Sequence, residues 1–393
     1  MINCLTRFLP LAAALLAALP SLPQAARTVI NVRNDLPISR PSETIVLTGK
    51  ELSRIQPLDD LRRIRVTDAA SGKELVSQAV DLDDDSAPEE LVFQADFAPG
   101  QSRRFVLSVG SRRIPAREEF RVYGRFARER YDDFAWENDR IAHRMYGTAL
   151  ETWEKEPLTS SAVDVWCKRT RRLVINDWYM VDNYHEDTGE GADFYSAGKS
   201  RGCGGSGLWQ DGRLHVSKNF VNSKVLANGP IRLVFELTYA SWRVGDREVS
   251  EIKRITLDAG QNLDRFESFY RAAGASDLAY AVGIKKGEGS AVLHDRKEGW
   301  LRTWEPVRKG QSGNLGCGIV LDPGLLTEIT EADGNYLIVA RTDSRQVATY
   351  YAGFGWDRSG DFADAAAWTE YLQQAARRLR SPLKISVEGG SRE

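Results

Sequence analysis

The chain is poor in several residues that often announce a function. Among 393 residues there are four cysteines, four histidines and three methionines. No CxxC or HxxxH pair occurs, so the usual spacing of a structural zinc site is missing. Beyond the N-terminus, no run reaches the ~18 consecutive apolar residues that a membrane-spanning helix requires. Neither sign of charge dominates: 53 Lys and Arg stand against 55 Asp and Glu. That balance leaves no global field to hold nucleic acid or an anionic membrane. No GxxxxGK[ST] loop occurs, and without βαβ alternation no glycine motif sits in the strand–turn–helix unit that a dinucleotide fingerprint or a nucleophile elbow requires, which argues against P-loop, nicotinamide and serine-hydrolase chemistry.

What is present begins with a targeting pattern. Arg7 is the only charge in the first 26 residues, residues 11–19 (LAAALLAAL) form a short apolar run, and small residues follow. This is the layout of a secretory signal peptide. We expect residues 1–26 to be removed, the mature chain to start near Arg27, and the protein to be periplasmic or secreted, with no membrane attachment after cleavage. Cys4 precedes the apolar run and is misplaced for lipid attachment. Cys167, Cys203 and Cys317 remain, an odd number that allows at most one internal disulfide. Three buried thiols is the simpler expectation.

The remainder reads as all-β. Short alternating segments at 28–32, 42–47, 63–68, 75–80, 91–96 and 103–109 predict a small β-sandwich over residues 27–112, with a helical piece at 49–55. The acidic stretch 81–90 lacks EF-hand spacing and reads as a solvated loop. Residues 113–131, rich in Arg and Glu, are expected to link to a second body over 132–393. There, long strands at 216–221, 231–242, 249–258 and 263–270 precede shorter ones at 282–284, 291–294, 318–321 and 336–340. No βαβ alternation occurs, so a large antiparallel supersandwich is expected rather than a doubly wound sheet. A closing helix is predicted after Asp364, with Trp368, Leu372, Ala376 and Leu379 on one face.

Chemistry concentrates between residues 136 and 218, which hold three of the four histidines. Residues 136–147 (WENDRIAHRMYG), read as one strand, have a clean core face on neither side and suit a cleft wall. Tyr184 and His185 are adjacent, with Asp187, Glu190 and Asp193 downstream. They suggest either an acid–base pair, an oxygen-ligand metal site or an acidic surface loop. On a straight strand neighbours point apart, so Tyr184 and His185 can share a cleft only if the backbone turns between them. Residues 189–207 are glycine-rich and read as a long loop, where Lys199 and Arg201 could meet an anion.

The motifs at 136–147, 165–169 (VWCKR), 184–193 (YHEDTGEGAD), 200–205 (SRGCGG), 228–232 (NGPIR) and 350–357 (YYAGFGWD) together resemble the bacterial family catalogued as domain of unknown function 4861. The resemblance implies a galactose-mutarotase-like β-supersandwich related to polysaccharide lyases. It also implies export, a role in breaking down acidic plant or algal polysaccharides and, in some members, removal of water from a terminal uronic acid. The chemistry that fits is β-elimination on a uronic-acid-containing oligosaccharide, by a dehydratase or lyase that yields a 4,5-unsaturated uronate. A base removes the C5 proton, a cation neutralises the carboxylate and an acid protonates the group leaving C4.

By residue type, the expected catalytic groups are His143, Tyr184, His185 and Arg201, converging on one pocket. Arg144, Tyr146, Trp166, Lys168, Arg169, Trp178 and Trp209 are expected to bind substrate. No cofactor or metal is required. Two other readings stay open: a glycoside hydrolase using two of Glu137, Asp139, Asp187, Glu190 and Asp193, and a carbohydrate-binding protein without catalysis.

Overall fold

The computed structural model describes residues 27–53, 60–154, 158, 161–181 and 184–388. The signal-peptide expectation at 1–26 lies outside them, as does the end of the helical piece at 49–55, whose described part is Gly49–Leu52. Among the described residues no helix is long and apolar enough to cross a membrane.

The chain is built almost wholly from antiparallel strands. In the N-terminal sandwich, Arg27–Arg33, Ser102–Val109, Ile64–Asp68 and Glu74–Leu75 form one sheet. Arg40–Leu47, Glu90–Phe97 and Ser77–Val80 form the other. Alternate residues of each strand meet in the middle: Ile30, Val32, Ile45, Leu47, Phe93, Phe105 and Leu107 are all buried there. The edge of the first sheet is completed by Lys384–Val387, with Ile30 opposite Val387. The last strand among the described residues therefore returns to the first sheet. Arg40 supports this closure, because its buried guanidinium donates to Ser381 O and pairs with Glu43.

The larger body rests on an eight-stranded sheet running Phe220–Asn228, Arg232–Val244, Arg247–Asp258, Leu263–Ala272, Val347–Trp356, Asn314–Val320, Trp300–Pro306 and Ala291–Asp295. Two five-stranded sheets cover its inner face. One contains Cys203–Gln210, Ala279–Lys285 and Asn335–Arg341 in its middle. The other runs Val122–Ala127, Asp133–Asn138, Ala142–Met145, Val163–Lys168 and Gly191–Ala192. A continuous core fills the space between, including Phe134, Trp136, Phe235, Phe266, Tyr280 and Tyr350. The helix Ala365–Arg380 closes the outer face. Asp364 caps it by accepting from the amides of Ala366 and Ala367 at 2.9 Å each, an arrangement worth about 1 kcal/mol. Trp368 and Leu372 then lie on the sheet, where a Cβ at Gly316 or Gly318 would come within 2.7 Å of them. Glycine in that strand is what lets the helix approach.

Two local expectations need correction. Residues 136–147 are not one strand but a hairpin, Asp133–Asn138 against Ala142–Met145. Asn138 makes the turn by accepting from the amides of Arg140 and Ile141 at 2.8 and 2.9 Å, which is the Asx-turn chemistry of Asn. The glycine-rich stretch is not one loop: Gly191–Ala192 is a short strand and Cys203–Gln210 a longer one. The first six residues of Cys203–Gln210 are all buried, so burial on both faces removed the alternation that would have marked it.

Candidate active site

Alternation along Ala142–Met145 sends His143 and Arg144 to opposite faces of their sheet. His143 goes into the core. It stacks on Trp136 with ring centroids 5.1 Å apart, meets Phe354 edge-on, and has Nε2 3.0 Å from Asp264 Oδ2. The other Asp264 oxygen accepts from the Trp136 indole at 2.8 Å. His143 is thus sealed inside the sandwich and cannot meet a substrate. The expected role for it is corrected on that ground.

Arg144 goes the other way. Strand pairing sets it directly opposite Asp164, and Nε donates to Asp164 Oδ2 at 2.9 Å. Tyr146 donates to the same oxygen at 2.9 Å. The guanidinium also reaches Asp193 Oδ2 at 3.2 Å and Asp133 Oδ2 at 3.6 Å, and it donates to the Tyr184 hydroxyl at 3.0 Å. One cation therefore serves three buried carboxylates. Burial, partly offset by Arg144, pushes the Asp133 carboxyl up to about 7. Burial and the neighbouring Asp164 hold Asp193 well above the usual carboxylate range. The Asp193 Oδ1 atom is buried without a partner.

Tyr184 and His185 form the outer layer of this assembly. The chain turns at this point, and the two rings lie tilted against each other by 31° with centroids 4.4 Å apart. The turn is the condition that lets adjacent side chains share one site. Tyr184 is partly buried against Trp166 and Tyr179, and that burial raises its phenol pKa, so the group keeps its proton at neutral pH. His185 has a side chain 51% exposed. Its Nδ1 lies 3.2 Å from the Asp193 carbonyl and 3.5 Å from the Asp193 carboxylate. An Nδ1–H pointing there leaves Nε2 free as an acceptor toward solvent. The arrangement can thus take a proton at one group and give one at its neighbour.

Other expected site residues are engaged elsewhere. Arg201 is buried between the sheets, and desolvation pulls its guanidinium down to about 10. Its side chain packs where Gly283 leaves room and is 2% exposed. The expected convergence of four residues therefore reduces to two. Lys168 is buried on Glu137 and Asn138 O, while the second Glu137 oxygen accepts from the amides of Val174 and Ile175. Arg169 pairs with Asp187 and lies 4.9 Å over the Trp356 ring. Trp166 and Trp178 are core residues beneath Tyr184, so neither offers a free face to a sugar. Trp209 packs on Ala281, Leu337 and Val339 in another sheet.

The carboxylates are engaged too. Asp139 is held by Arg121 and the Gly260 amide, and Glu190 by Arg172. Asp187, Glu190 and Asp193 each sit with a different arginine, so they form no common cage. The oxygens of Asp81, Asp83, Asp85 and Glu89 approach one another within 4.8 Å, but they accept from amides of their own loop. Asp133 and Asp164 were missed by sequence reasoning. For Asp164 a signal existed: it is one acid in the otherwise apolar run 162–167 (AVDVWC), and a buried charge needs a partner.

Comparison with known proteins agrees with the architecture. An α-mannosidase from Enterococcus faecalis V583 superposes with a TM-score of 0.50 at 12% identity, over 92% of this chain and 46% of that one. A glycosyl hydrolase family 38 protein of Enterococcus faecalis gives 0.49 at 11% identity, over 92% and 47%. This chain spans about half the length of either, and the likeness to the α-mannosidase speaks for the fold alone. A protein of Formosa agariphila, "Uncharacterized protein P7", is 31% identical over 374 residues, covering 92% of this chain and 93% of its own length. Residues 32–385 match the model of domain of unknown function 4861, and the chain belongs to that family.

Proposed function

We propose that this protein is a carbohydrate-active enzyme that carries out β-elimination on uronic-acid-containing oligosaccharides after export from the cytoplasm. The observation that carries the reading is the contact of an exposed imidazole, His185, with a proton-bearing phenol, Tyr184, above a buried charge assembly. In this reading His185 Nε2 takes the C5 proton, the C5 electron pair forms the C4=C5 double bond, and the C4–O bond breaks. Tyr184 gives its proton to the departing oxygen. Arg144, already donating to the phenol oxygen, stabilises the negative charge left there. The products are a 4,5-unsaturated uronate and either water or a shortened sugar.

Glycoside hydrolysis needs two carboxylates facing each other across the scissile bond. Glu137, Asp139, Asp187, Glu190 and Asp193 are each committed to a cation or to backbone amides, which favours elimination. The test is an acidic oligosaccharide panel read by mass and by the ultraviolet absorbance of the conjugated product. Loss of water with new absorbance is the expected result for a dehydratase, and cleavage with the same absorbance is that for a lyase. Gain of water without absorbance would mean a hydrolase, and binding without any mass change a non-catalytic protein.

A further inference from the structure

An acidic substrate approaching Tyr184 and His185 meets Asp133, Asp164 and Asp193 with one guanidinium among them. Extra cations must neutralise its carboxylate, both for binding and to acidify the C5 proton. Four of the cations nominated from sequence are committed: Arg144 to its carboxylates, Lys168 to Glu137, Arg169 to Asp187, and Arg201 to the interior; the fifth, Lys199, lies exposed on the loop before Arg201.

Two arginines outside that set touch the same turn. Arg130 ends the short helical turn Arg128–Arg130. Its Nη2 donates to the carbonyls of Tyr179 and Val181 at 2.9 and 3.2 Å. Its guanidinium lies 5.0 Å from the Tyr184 ring and 5.6 Å from that of Tyr179. Arg308 arrives from Val307–Gly310, far along the chain. It donates to the His185 carbonyl and lies 5.0 Å over the Phe194 ring. The partners of both guanidinium groups are carbonyls and ring faces, and neither is ion-paired to a carboxylate among the described residues. Arg308 is exposed, and its φ of 48° lies in the left-handed region. A non-glycine residue seldom takes that conformation unless its surroundings hold it there.

We infer that Arg130 and Arg308 are the anion clamp of the site, gripping the substrate carboxylate from the Tyr184 side and the His185 side. This assignment rests on the proposal of an acidic oligosaccharide substrate. Each guanidinium is anchored by main-chain or ring contacts that leave donors unspent, and its planar fork suits a carboxylate. The two come from segments that only the fold brings together.

The test is calorimetric binding of two probes to the full protein and to Arg130→Gln, Arg308→Gln and Arg308→Lys. One probe is an oligosaccharide ending in glucuronic or iduronic acid, and the other is the same oligosaccharide with that carboxyl reduced to an alcohol. Unaltered melting temperatures verify folding. We expect the unmodified protein to prefer the acidic probe. Each Gln variant should lose about 10- to 100-fold affinity for it and keep its affinity for the neutral one. Arg308→Lys on the exposed loop should recover part of the loss. If both Gln variants retain the full preference, the clamp assignment is wrong while the acidic-substrate reading stands. If the unmodified protein shows no preference, that reading fails and takes the clamp with it.

Discussion

Two buried charge assemblies sit in the larger body, and they differ in one respect that matters. Around Arg144, three carboxylates share one guanidinium beneath a partly open aromatic layer. Between the sheets, Lys253 donates to Ser206 and Ser268 at 2.7 and 2.9 Å and pairs with Glu251 at 2.8 Å. Tyr239, Tyr270 and Arg201 complete that second group, whose members are no more than 3% exposed. Both assemblies are rich in groups that shift under burial. Only the first ends in a side chain, His185, that solvent reaches. Polar density is therefore a poor guide to a site in this fold, because a supersandwich of this size can seal charges within it. Access separates chemistry from architecture.

The comparison can be broken most directly at His185. Replacing it with Ala should lower turnover by about 10²–10⁴-fold with little change in melting temperature, because the ring is half exposed. Tyr184→Phe should lower turnover in the same assay while preserving the ring contacts. Turnover of acidic oligosaccharides by the His185 variant at the normal rate would remove the outer assembly from consideration.

The next largest effect belongs to the sealed assembly. Glu251→Ala strands Lys253 without its counter-ion, and breaking a buried pair in this way costs about 3–5 kcal/mol. Denaturant unfolding should show that loss. A neutral result would mean that water reaches Lys253 and that the interior is not sealed.

Proton linkage sharpens the contrast further. The folded protein holds the Asp133 carboxyl at about 7 against an ordinary value of 3.8. Between roughly pH 4 and pH 7 the folded protein thus holds a proton there that the unfolded chain has already released. The contribution to stability is complete below the lower value and declines as pH rises toward the upper one, by at most about 1.4 kcal/mol per pH unit. Asp133→Asn should flatten that part of the stability profile measured by thermal unfolding. An unchanged slope would assign the proton elsewhere in the assembly.

The smallest change is expected at Arg201. Arg201→Met replaces a guanidinium whose Nη1 has no partner with an apolar chain of similar reach, a substitution that is often neutral or stabilising. Turnover should stay near the parent rate. A large loss specific to turnover would return Arg201 to the catalytic group and erase the distinction between the two assemblies.

Legibility from sequence followed burial. Strands with one face in the core alternate plainly, so the expected segment 263–270 lies inside Leu263–Ala272 and 249–258 inside Arg247–Asp258. The helix cap at Asp364 was equally readable, because capping is local chemistry. Where both faces are covered, as in Cys203–Gln210, the pattern vanishes and glycine suggests a loop instead. The hairpin at Asn138 was hidden because polar residues occupy buried positions on both of its strands: Glu137 and His143 each have a partner that is distant in sequence.

For the candidate site, adjacency in the chain nominated Tyr184 and His185, and the structure brings their rings to 4.4 Å between centroids. The amino-acid order by itself determined the all-β class, most strand positions and the pairing of a histidine with a tyrosine, since each depends on residues close together in the chain. The tertiary structure alone decided that His143 faces Asp264, that Arg201 is enclosed, that Asp133, Asp164 and Asp193 gather on Arg144, and that Arg130 and Arg308 meet at one turn. Those outcomes depend on which strands pair and which face is covered, and such long-range contacts leave no periodic trace in the residues that make them.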